Sequence, residues 1–230
     1  MTTRSTIKGV WLEDLTWPEA KARFAANPVV VVPIGAAAKA HGPHLPLKTD
    51  AITARALAQA LVERLPVIAA PVLGFGFYPA FTSFAGSQHL SVETFKALVR
   101  ELIGSFTAHG VKRIALLNTG VSTEKPLDEV AAAAAGGDVL VLHMRLMGQA
   151  AEALIENKSG GHADERETSV VLALEPRSVR LDKLALEGPF EVTGATGDPR
   201  RATAFKGERL LAARTSDMVA ALARRWPDLS

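Results

Sequence analysis

The chain has 230 residues, and its 26 lysines and arginines against 24 aspartates and glutamates leave a formal charge of +2 at pH 7. This near balance argues against nucleic acid and against an anionic membrane surface as partners. The absence of cysteine excludes disulfides, thiolate metal ligands and a cysteine nucleophile. The N-terminus lacks the apolar core of a signal peptide, and no apolar stretch of about 18 residues is free of charges. We therefore expect a cytoplasmic protein with no membrane span and a single domain over residues 1–230.

Strand and helix patterns alternate along the chain. The run Val29–Val32 is apolar and β-branched and is bounded by Pro33 and Gly35, which is typical of a strand buried on both faces. Such strands alternating with helical segments predict an α/β fold, with a mainly parallel sheet and helices on both faces. In chain order, we predict a helix start at residues 16–19, strand 29–34, helix 50–65, strand 67–73, loop 74–90, helix 91–109, strand 112–118, helix 127–135, strand 139–142, helix 147–157, a helix from about 164 to before 176, loop 185–206 and helix 207–226.

A polar loop after the first buried strand carries His41, His44 and Asp50 within ten positions. Open α/β sheets place their ligand sites at the carboxyl ends of strands. Imidazole and carboxylate suit zinc, manganese or iron, and three or four such groups make a catalytic metal site. The structural alternative is that the two histidines only hydrogen-bond the loop and that Asp50 only caps the helix that follows.

A second cluster of ionisable residues lies at residues 160–169, where His162, Asp164 and Glu167 precede an apolar run. The same pattern is typical of a helix N-terminus, with Asp164 as the cap and Glu167 three residues later. Carboxylates in a first helical turn also suit the helix dipole. Periodicity alone favours the helix start over a catalytic cluster.

Two further loops carry candidate substrate contacts. Residues 74–90 are rich in glycine and aromatic residues and form a long loop, and long loops in compact domains are usually functional. Ser122 follows another strand but lies outside a G-x-S-x-G elbow, so we do not interpret it as a hydrolase nucleophile. We expect His44, Tyr78 and Ser122 to contact the substrate.

Several motifs of the chain resemble those of the creatininase (creatinine amidohydrolase) family. They are Pro33-Ile-Gly35, the segment from His41-Gly-Pro-His44 to Thr49-Asp50, Phe84-Ala-Gly86-Ser, Asn118 onward, His162-Ala-x-x-x-Glu167-Thr-Ser169, and Gly197-Asp-Pro through Gly207. The resemblance covers nearly the whole chain. It implies a three-layer α/β fold, a homo-oligomer, and a zinc- or manganese-dependent hydrolase that opens cyclic amides or cleaves related C–N bonds of small molecules.

The resemblance also predicts an incomplete metal site. His41 and Asp50 match metal ligands of the family, but Ala40 stands where a ligating glutamate is expected, and two further ligands are missing. We therefore expect one zinc or manganese ion, held by His41, Asp50 and Glu167, with His162 as an alternative third ligand. The same resemblance places His162 and Glu167 beside the substrate as catalytic residues.

Three functions stay open on the sequence. The first is a metal-dependent amidohydrolase whose activity is impaired by Ala40. The second is a non-catalytic relative that binds a small ligand in the same pocket, and the third is a mononuclear or metal-independent deformylase or lactone hydrolase. All three require the loop of His41 and Asp50 to meet the loop of His162 and Glu167 in one pocket.

Overall fold

The computed structural model describes residues 8–134, 138–145, 149–185 and 188–229. Five strands are described: β1 (Val10–Trp11), β2 (Val29–Ile34), β3 (Ile68–Ala69), β4 (Arg113–Asn118) and β5 (Leu140–Met144). They pair in parallel in the order β1-β3-β2-β4-β5. The α-helices are α1 (Trp17–Ala25), α2 (Thr49–Arg64), α3 (Val92–Ala108), α4 (Glu124–Ala134), α5 (Glu165–Leu174), α6 (Phe190–Thr193) and α7 (Ala204–Arg225). Among these helices, none combines the length and the apolar character needed to cross a bilayer.

The sheet is covered on both faces because its central strand is apolar on both. In β2, Val29 and Val31 belong to an apolar cluster shared with α2 and α7. Val30 and Val32 belong to a separate cluster shared with α3 and α4. Burial on both faces explains why the sequence of β2 shows a continuous apolar run instead of alternation. The predicted three-layer α/β fold with a parallel sheet is confirmed.

Two predicted helix starts are confirmed by their capping hydrogen bonds. Ser91 Oγ accepts a hydrogen bond from the backbone N of Thr94 at 3.2 Å, ahead of α3. The Asp164 carboxylate accepts from the backbone N of Arg166 at 2.9 Å and of Glu167 at 3.2 Å, ahead of α5. Asp164 is therefore a helix cap, as the structural alternative predicted, and Glu167 lies in the first turn of α5.

The predicted strand over residues 67–73 is shorter in the structure, where β3 covers only Ile68–Ala69. Pro71 has no N–H to donate to a neighbouring strand, so the regular ladder ends before it. Contact with β2 continues irregularly, through the hydrogen bond from Leu73 N to Pro33 O at 2.8 Å. The predicted strand is therefore present between β1 and β2, but its regular pairing ends at Ala69.

Two predicted helices and one predicted loop differ from the structure in type or extent. The predicted helix 147–157 is a 3-10 helix over Gln149–Leu154, and residues 147 and 148 lie outside the described ranges. The Glu165 carboxylate accepts from the backbone N of Glu156 and of Asn157 at 3.0 and 2.8 Å, which diverts both amides from a helix. Helix α4 begins at Glu124, three residues early, because Pro126 is tolerated in a first helical turn. The predicted loop 185–206 contains α6 and the start of α7, and residues 186 and 187 are not described.

Candidate active site

A pocket of about 280 Å³ opens at the carboxyl ends of β2 and β4. The strand order diverges here, because β3 lies on one side of β2 and β4 lies on the other. Open α/β sheets bind ligands at such a point. The lining residues come from the loop after β2 (Lys39), the loop after β4 (residues 119–122), the start of α5 (within residues 161–167), α7 (Arg214) and the aromatic loop (Phe81).

Gly35 brings the loop after β2 against the start of α2. A Cβ at Gly35 would lie 2.4 Å from the backbone oxygen of Asp50 and 2.7 Å from Thr119 Oγ1, so no side chain fits there. Thr119 Oγ1 lies 3.1 Å from the backbone oxygen of Ile34 and 3.2 Å from that of Asp50. These contacts join β2, β4 and α2, and they fix Asp50 beneath the pocket.

His41 is fully buried, and both of its ring nitrogens face oxygen atoms. Nδ1 lies 2.8 Å from the backbone oxygen of Lys39, and because a carbonyl oxygen only accepts, Nδ1 donates in this contact. Nε2 lies 3.0 Å from Asp50 Oδ1. This separation suits a hydrogen bond, and it also suits two ligand atoms of one ion, each about 2.0–2.2 Å from the metal.

Lys39 supplies a buried positive charge next to this pair. Its Nζ lies 2.6 Å from Asp50 Oδ2, and the two side chains are only 6% and 3% exposed. The ammonium also lies 5.1 Å from the centre of the Phe81 ring and 5.6 Å from that of Tyr78, within range of cation–π attraction. Burial alone would raise the pKa of Asp50, but the charges of Lys39 and His41 hold it well below its usual range. Asp50 is therefore an anion whose two oxygens are already taken by Lys39 and His41.

His162 and Glu167 reach the same place from the start of α5. The rings of His41 and His162 lie 4.6 Å apart, centre to centre. His162 Nε2 lies 2.8 Å from the backbone oxygen of Ala40, so Nε2 carries the proton and Nδ1 keeps its lone pair. Burial lowers the pKa of His162 to about 3, and the charges of His41 and Lys39 act in the same direction.

Glu167 is held by the backbone at its own helix start. Its Oε2 accepts a hydrogen bond from the backbone N of Ala163 and lies 3.7 Å from His162 Nδ1. Ala163 has a φ of 52°, a left-handed conformation that is costly for a residue with a Cβ. This backbone strain beside His162 is typical of functional sites, and it aims the amide of Ala163 at the carboxylate.

Three of these side chains could hold one metal ion. One nitrogen of His41, one nitrogen of His162 and one carboxylate oxygen of Glu167 all lie within 4.8 Å of one another. Two imidazoles and a carboxylate are a donor set that suits zinc or manganese. Asp50, which the sequence predicted as a ligand, lies next to this group, with Oδ1 3.0 Å from His41 Nε2 and Oδ2 2.6 Å from Lys39 Nζ. The residues fit one ion, and the choice between Asp50 and His162 as a ligand beside His41 and Glu167 stays a prediction.

The side chain of Ala40 lies in an apolar wall. It is 8% exposed and packs in a cluster with Tyr78 and Phe81, against which Phe84 and Phe190 also pack. Its backbone is nevertheless part of the site, because its carbonyl accepts from His162. The methyl side chain thus removes a potential ligand, while the backbone keeps the histidine oriented.

The three predicted substrate contacts have different environments. Ser122 lines the pocket, and its hydroxyl donates to the backbone oxygen of Phe77 at 2.8 Å. Tyr78 is 2% exposed, and its hydroxyl has no partner among the described residues. His44 is fully buried, with Nε2 2.8 Å from Thr168 Oγ1, and burial lowers its pKa to about 4. Ser122 is therefore the one of the three that borders the pocket directly.

The sequence analysis missed three charged residues of the pocket, Lys39, Arg166 and Arg214. Lys39 stands in a loop of small residues, and nothing in that spacing indicates that its ammonium turns inward to Asp50. Arg214 does leave a signal, since it occupies a position of the buried stripe of α7 with Leu210 and Met218, at helical spacing. A charged residue at such a position indicates a functional or paired group.

Comparisons with known proteins agree with the fold and with the motifs. A family model described as Creatininase: Creatinine amidohydrolase matches residues 13–222. The mycofactocin precursor peptide peptidase of Mycobacterium tuberculosis (strain ATCC 25618 / H37Rv) is 30% identical over 237 aligned positions, covering 88% of each chain. The creatinine amidohydrolase of Pseudomonas putida is 31% identical over 117 positions, covering 48% of this chain and 45% of its own.

Solved structures show the same fold. A structure described as "Creatininase Mn" superposes with a TM-score of 0.82 at 23% identity, covering 96% of this chain and all of its own. A creatininase mutant of "Zn-Zn type" superposes with a TM-score of 0.80 at 24% identity, covering 96% and 99%. Because the family model covers nearly the whole chain and a relative at 30% identity covers most of it, the chain belongs to the creatininase family.

Proposed function

We propose that the chain is a hydrolase that cleaves an amide C–N bond of a small molecule, a cyclic amide or a short peptide, at one bound zinc or manganese ion. The observation that carries this proposal is the meeting of His41, His162 and Glu167, which come from loops about 120 positions apart. The pocket of about 280 Å³ suits a small ligand or a few atoms of a chain end. Family membership and the peptidase and amidohydrolase activities named for two relatives support the reaction class.

His41, His162 and Glu167 would hold the ion, and a divalent ion in such a site polarises an amide carbonyl and lowers the pKa of bound water. The chain itself orients the ligands. The carbonyl of Ala40 fixes the tautomer of His162, so the lone pair of Nδ1 stays available. A hydrogen bond from the other ring nitrogen of a metal-binding histidine sets the orientation and the basicity of that histidine.

Glu167 is the residue that we assign to proton transfer. Its Oε2 is fixed by the amide of Ala163, whereas its Oε1 makes no hydrogen bond with any residue that the structure describes. The free oxygen can accept a proton from water and deliver it to the leaving nitrogen. Phe81 beside the pocket limits the access of bulk water, which strengthens the electrostatic interactions inside.

Metal content and turnover, measured together, test the proposal. Purified protein should bind one zinc or manganese ion per chain and should hydrolyse members of a panel of lactams and dipeptides, and chelation should abolish hydrolysis. His162→Asn should weaken zinc binding by at least about 10-fold, because mutating a residue that only hydrogen-bonds a metal ligand already lowers metal affinity by about that factor. His109→Asn is the matched control, because His109 is exposed at the end of α3 and is not among the residues that line the pocket.

Metal-free hydrolysis is a second candidate, and the buried Lys39–Asp50 pair favours it. This pair already places a fixed positive charge beside His41, where a cation would otherwise balance Asp50. Hydrolysis that survives chelation would support this candidate and contradict the first. Binding without turnover in the zinc-loaded protein would instead leave the non-catalytic ligand-binding alternative. A homo-oligomer stays a prediction from the family resemblance.

A further inference from the structure

Arg214 occupies a position in the protein where a charge is costly. It lies on the buried stripe of α7 between Leu210 and Met218 and is only 4% exposed. Arginine is almost never buried to this extent unless it is paired. Removing a guanidinium from water is compensated only when other groups satisfy its charge and its N–H donors.

No such partner is present among the residues that the structure describes. Arg214 makes no ion pair and no hydrogen bond with them, and its Nε is buried without a partner. The other cations of the pocket are already paired. Lys39 contacts Asp50 at 2.6 Å, and Arg166 contacts Asp164 at 2.8 Å as well as Glu152. Among the described residues, Arg214 is therefore the cation of the pocket whose N–H donors have no hydrogen-bond acceptor.

The charge of Arg214 interacts with the carboxylates around the proposed reaction site. Glu167, Asp164 and Glu152 are the carboxylates that act on it at longer range, and Glu167 acts most strongly. Under the proposed function, a divalent ion neutralises Glu167, so the charge of Arg214 becomes less compensated when the ion binds. Since Arg214 and Glu167 line the same pocket, the loaded site should attract an anionic group.

We propose that Arg214 binds a carboxylate of the substrate, and therefore that the amide cleaved in this pocket belongs to a molecule with a free carboxylate. A guanidinium offers a planar fork of donors that matches a carboxylate with two parallel hydrogen bonds. The carboxylate supplies the missing partner, and Phe81 supplies an apolar wall for the rest of the molecule. The carboxylate is either a peptide C-terminus or an acidic side chain. This inference rests on the proposed function for the bond that is cleaved, but not for the binding of the carboxylate.

Calorimetric binding to wild-type protein, with and without zinc, tests this inference. The probes are N-acetylphenylalanine, N-acetylphenylalaninamide and the α-amide of N-acetylaspartate, which present a terminal carboxylate, no carboxylate and a side-chain carboxylate. Wild type should bind at least one acid about 10-fold to 100-fold more tightly than the neutral amide, as expected for a charge-assisted pair. Because the preference should persist in chelated protein, coordination of the acid to zinc cannot produce it.

Arg214→Met should abolish this preference, and Arg214→Lys should keep part of it. Arg209→Met is the matched control, because Arg209 lies on the same helix but is exposed; it should bind all three probes like wild type. Equal binding of acid and amide by wild type, or a preference retained in Arg214→Met, would overturn the inference. If Arg214→Met does not fold, the comparison of acid with amide in wild type and in Arg214→Lys decides.

The outcomes separate this inference from the proposed function. If the protein prefers the acid through Arg214 but hydrolyses no amide, binding of a carboxylate by Arg214 is supported and the hydrolase function is contradicted. If it turns over neutral amides with no preference for acids, the hydrolase function is supported and binding of a carboxylate by Arg214 is contradicted. For an acidic substrate that is turned over, Arg214→Met should raise KM about 10-fold or more with a smaller change in kcat.

Discussion

Lys39→Met is the most direct perturbation of the buried charges beneath the pocket. In the native protein, Lys39 Nζ lies 2.6 Å from Asp50 Oδ2, and both side chains are at least nine-tenths buried. Removing the ammonium leaves the Asp50 carboxylate with only His41 as a partner. Breaking a buried pair in this way costs about 3–5 kcal/mol of unfolding free energy, because the remaining charge is uncompensated. For a chain of this size, that loss corresponds to a fall in Tm of roughly 6–20 °C.

Urea unfolding of chelated protein measures this loss, and an exposed pair gives the matched control. Lys48 and Glu175 also form an ion pair, at 2.7 Å, but their side chains are 53% and 40% exposed. Lys48→Met should cost only about 0.2–1 kcal/mol. The double variant Lys39→Met with Asp50→Asn should recover part of the loss, since neither charge is then left alone. A loss below about 1 kcal/mol for Lys39→Met would refute the reasoning that the pair is buried and mutually dependent.

Three further predictions concern pH, packing and the altered ligand position. The pKa of His44 is lowered by burial to about 4, below the ordinary 6.5, so the unfolded chain binds more protons in acid and stability is lost as pH falls from 6.5 towards 4. Because burial also lowers the pKa of His162, to about 3, urea unfolding at pH 5 should show a loss relative to pH 7 to which each histidine contributes about 2 kcal/mol, and His44→Gln should remove about half of it. Gly35→Ala should destabilise the fold by about 1–3 kcal/mol or more, because its Cβ would meet backbone at 2.4 Å, whereas Gly104→Ala, with nothing within 4 Å, should stabilise it slightly in the same assay. Ala40→Glu should raise zinc affinity about 10-fold or more in a chelator competition, and Ala40→Gln should not, since only the former adds a charged ligand beside His41.

The layers of the fold could be predicted from the sequence because their signals are local. The apolar run of β2, the Ser91 cap of α3 and the Asp164 cap of α5 each require only a few neighbouring residues, and the structure confirms all three. The length of β3 was predicted too long, since its regular pairing with β2 ends at Ala69, before Pro71. Strand pairing of this kind is a tertiary property.

The site could be predicted only in part. The motifs identified His41, His162 and Glu167, and the structure brings them together as the resemblance requires. The sequence could not show that Lys39 turns inward to occupy Asp50, because the direction of a loop side chain is set by the packing around it. It also could not show that Arg214, which lies 47 positions after Glu167, faces the same pocket. Charges that are brought together by separate helices leave no local pattern.

We propose that His41, His162 and Glu167 hold one divalent ion beside the pocket at the carboxyl ends of β2 and β4. Anomalous diffraction at the zinc edge, on crystals grown with stoichiometric zinc, measures this directly. We predict one anomalous peak per chain, about 2.0–2.2 Å from a nitrogen of each histidine and from an oxygen of Glu167. Zinc bound elsewhere, or no peak at these residues while Lys39 still contacts Asp50, would contradict it.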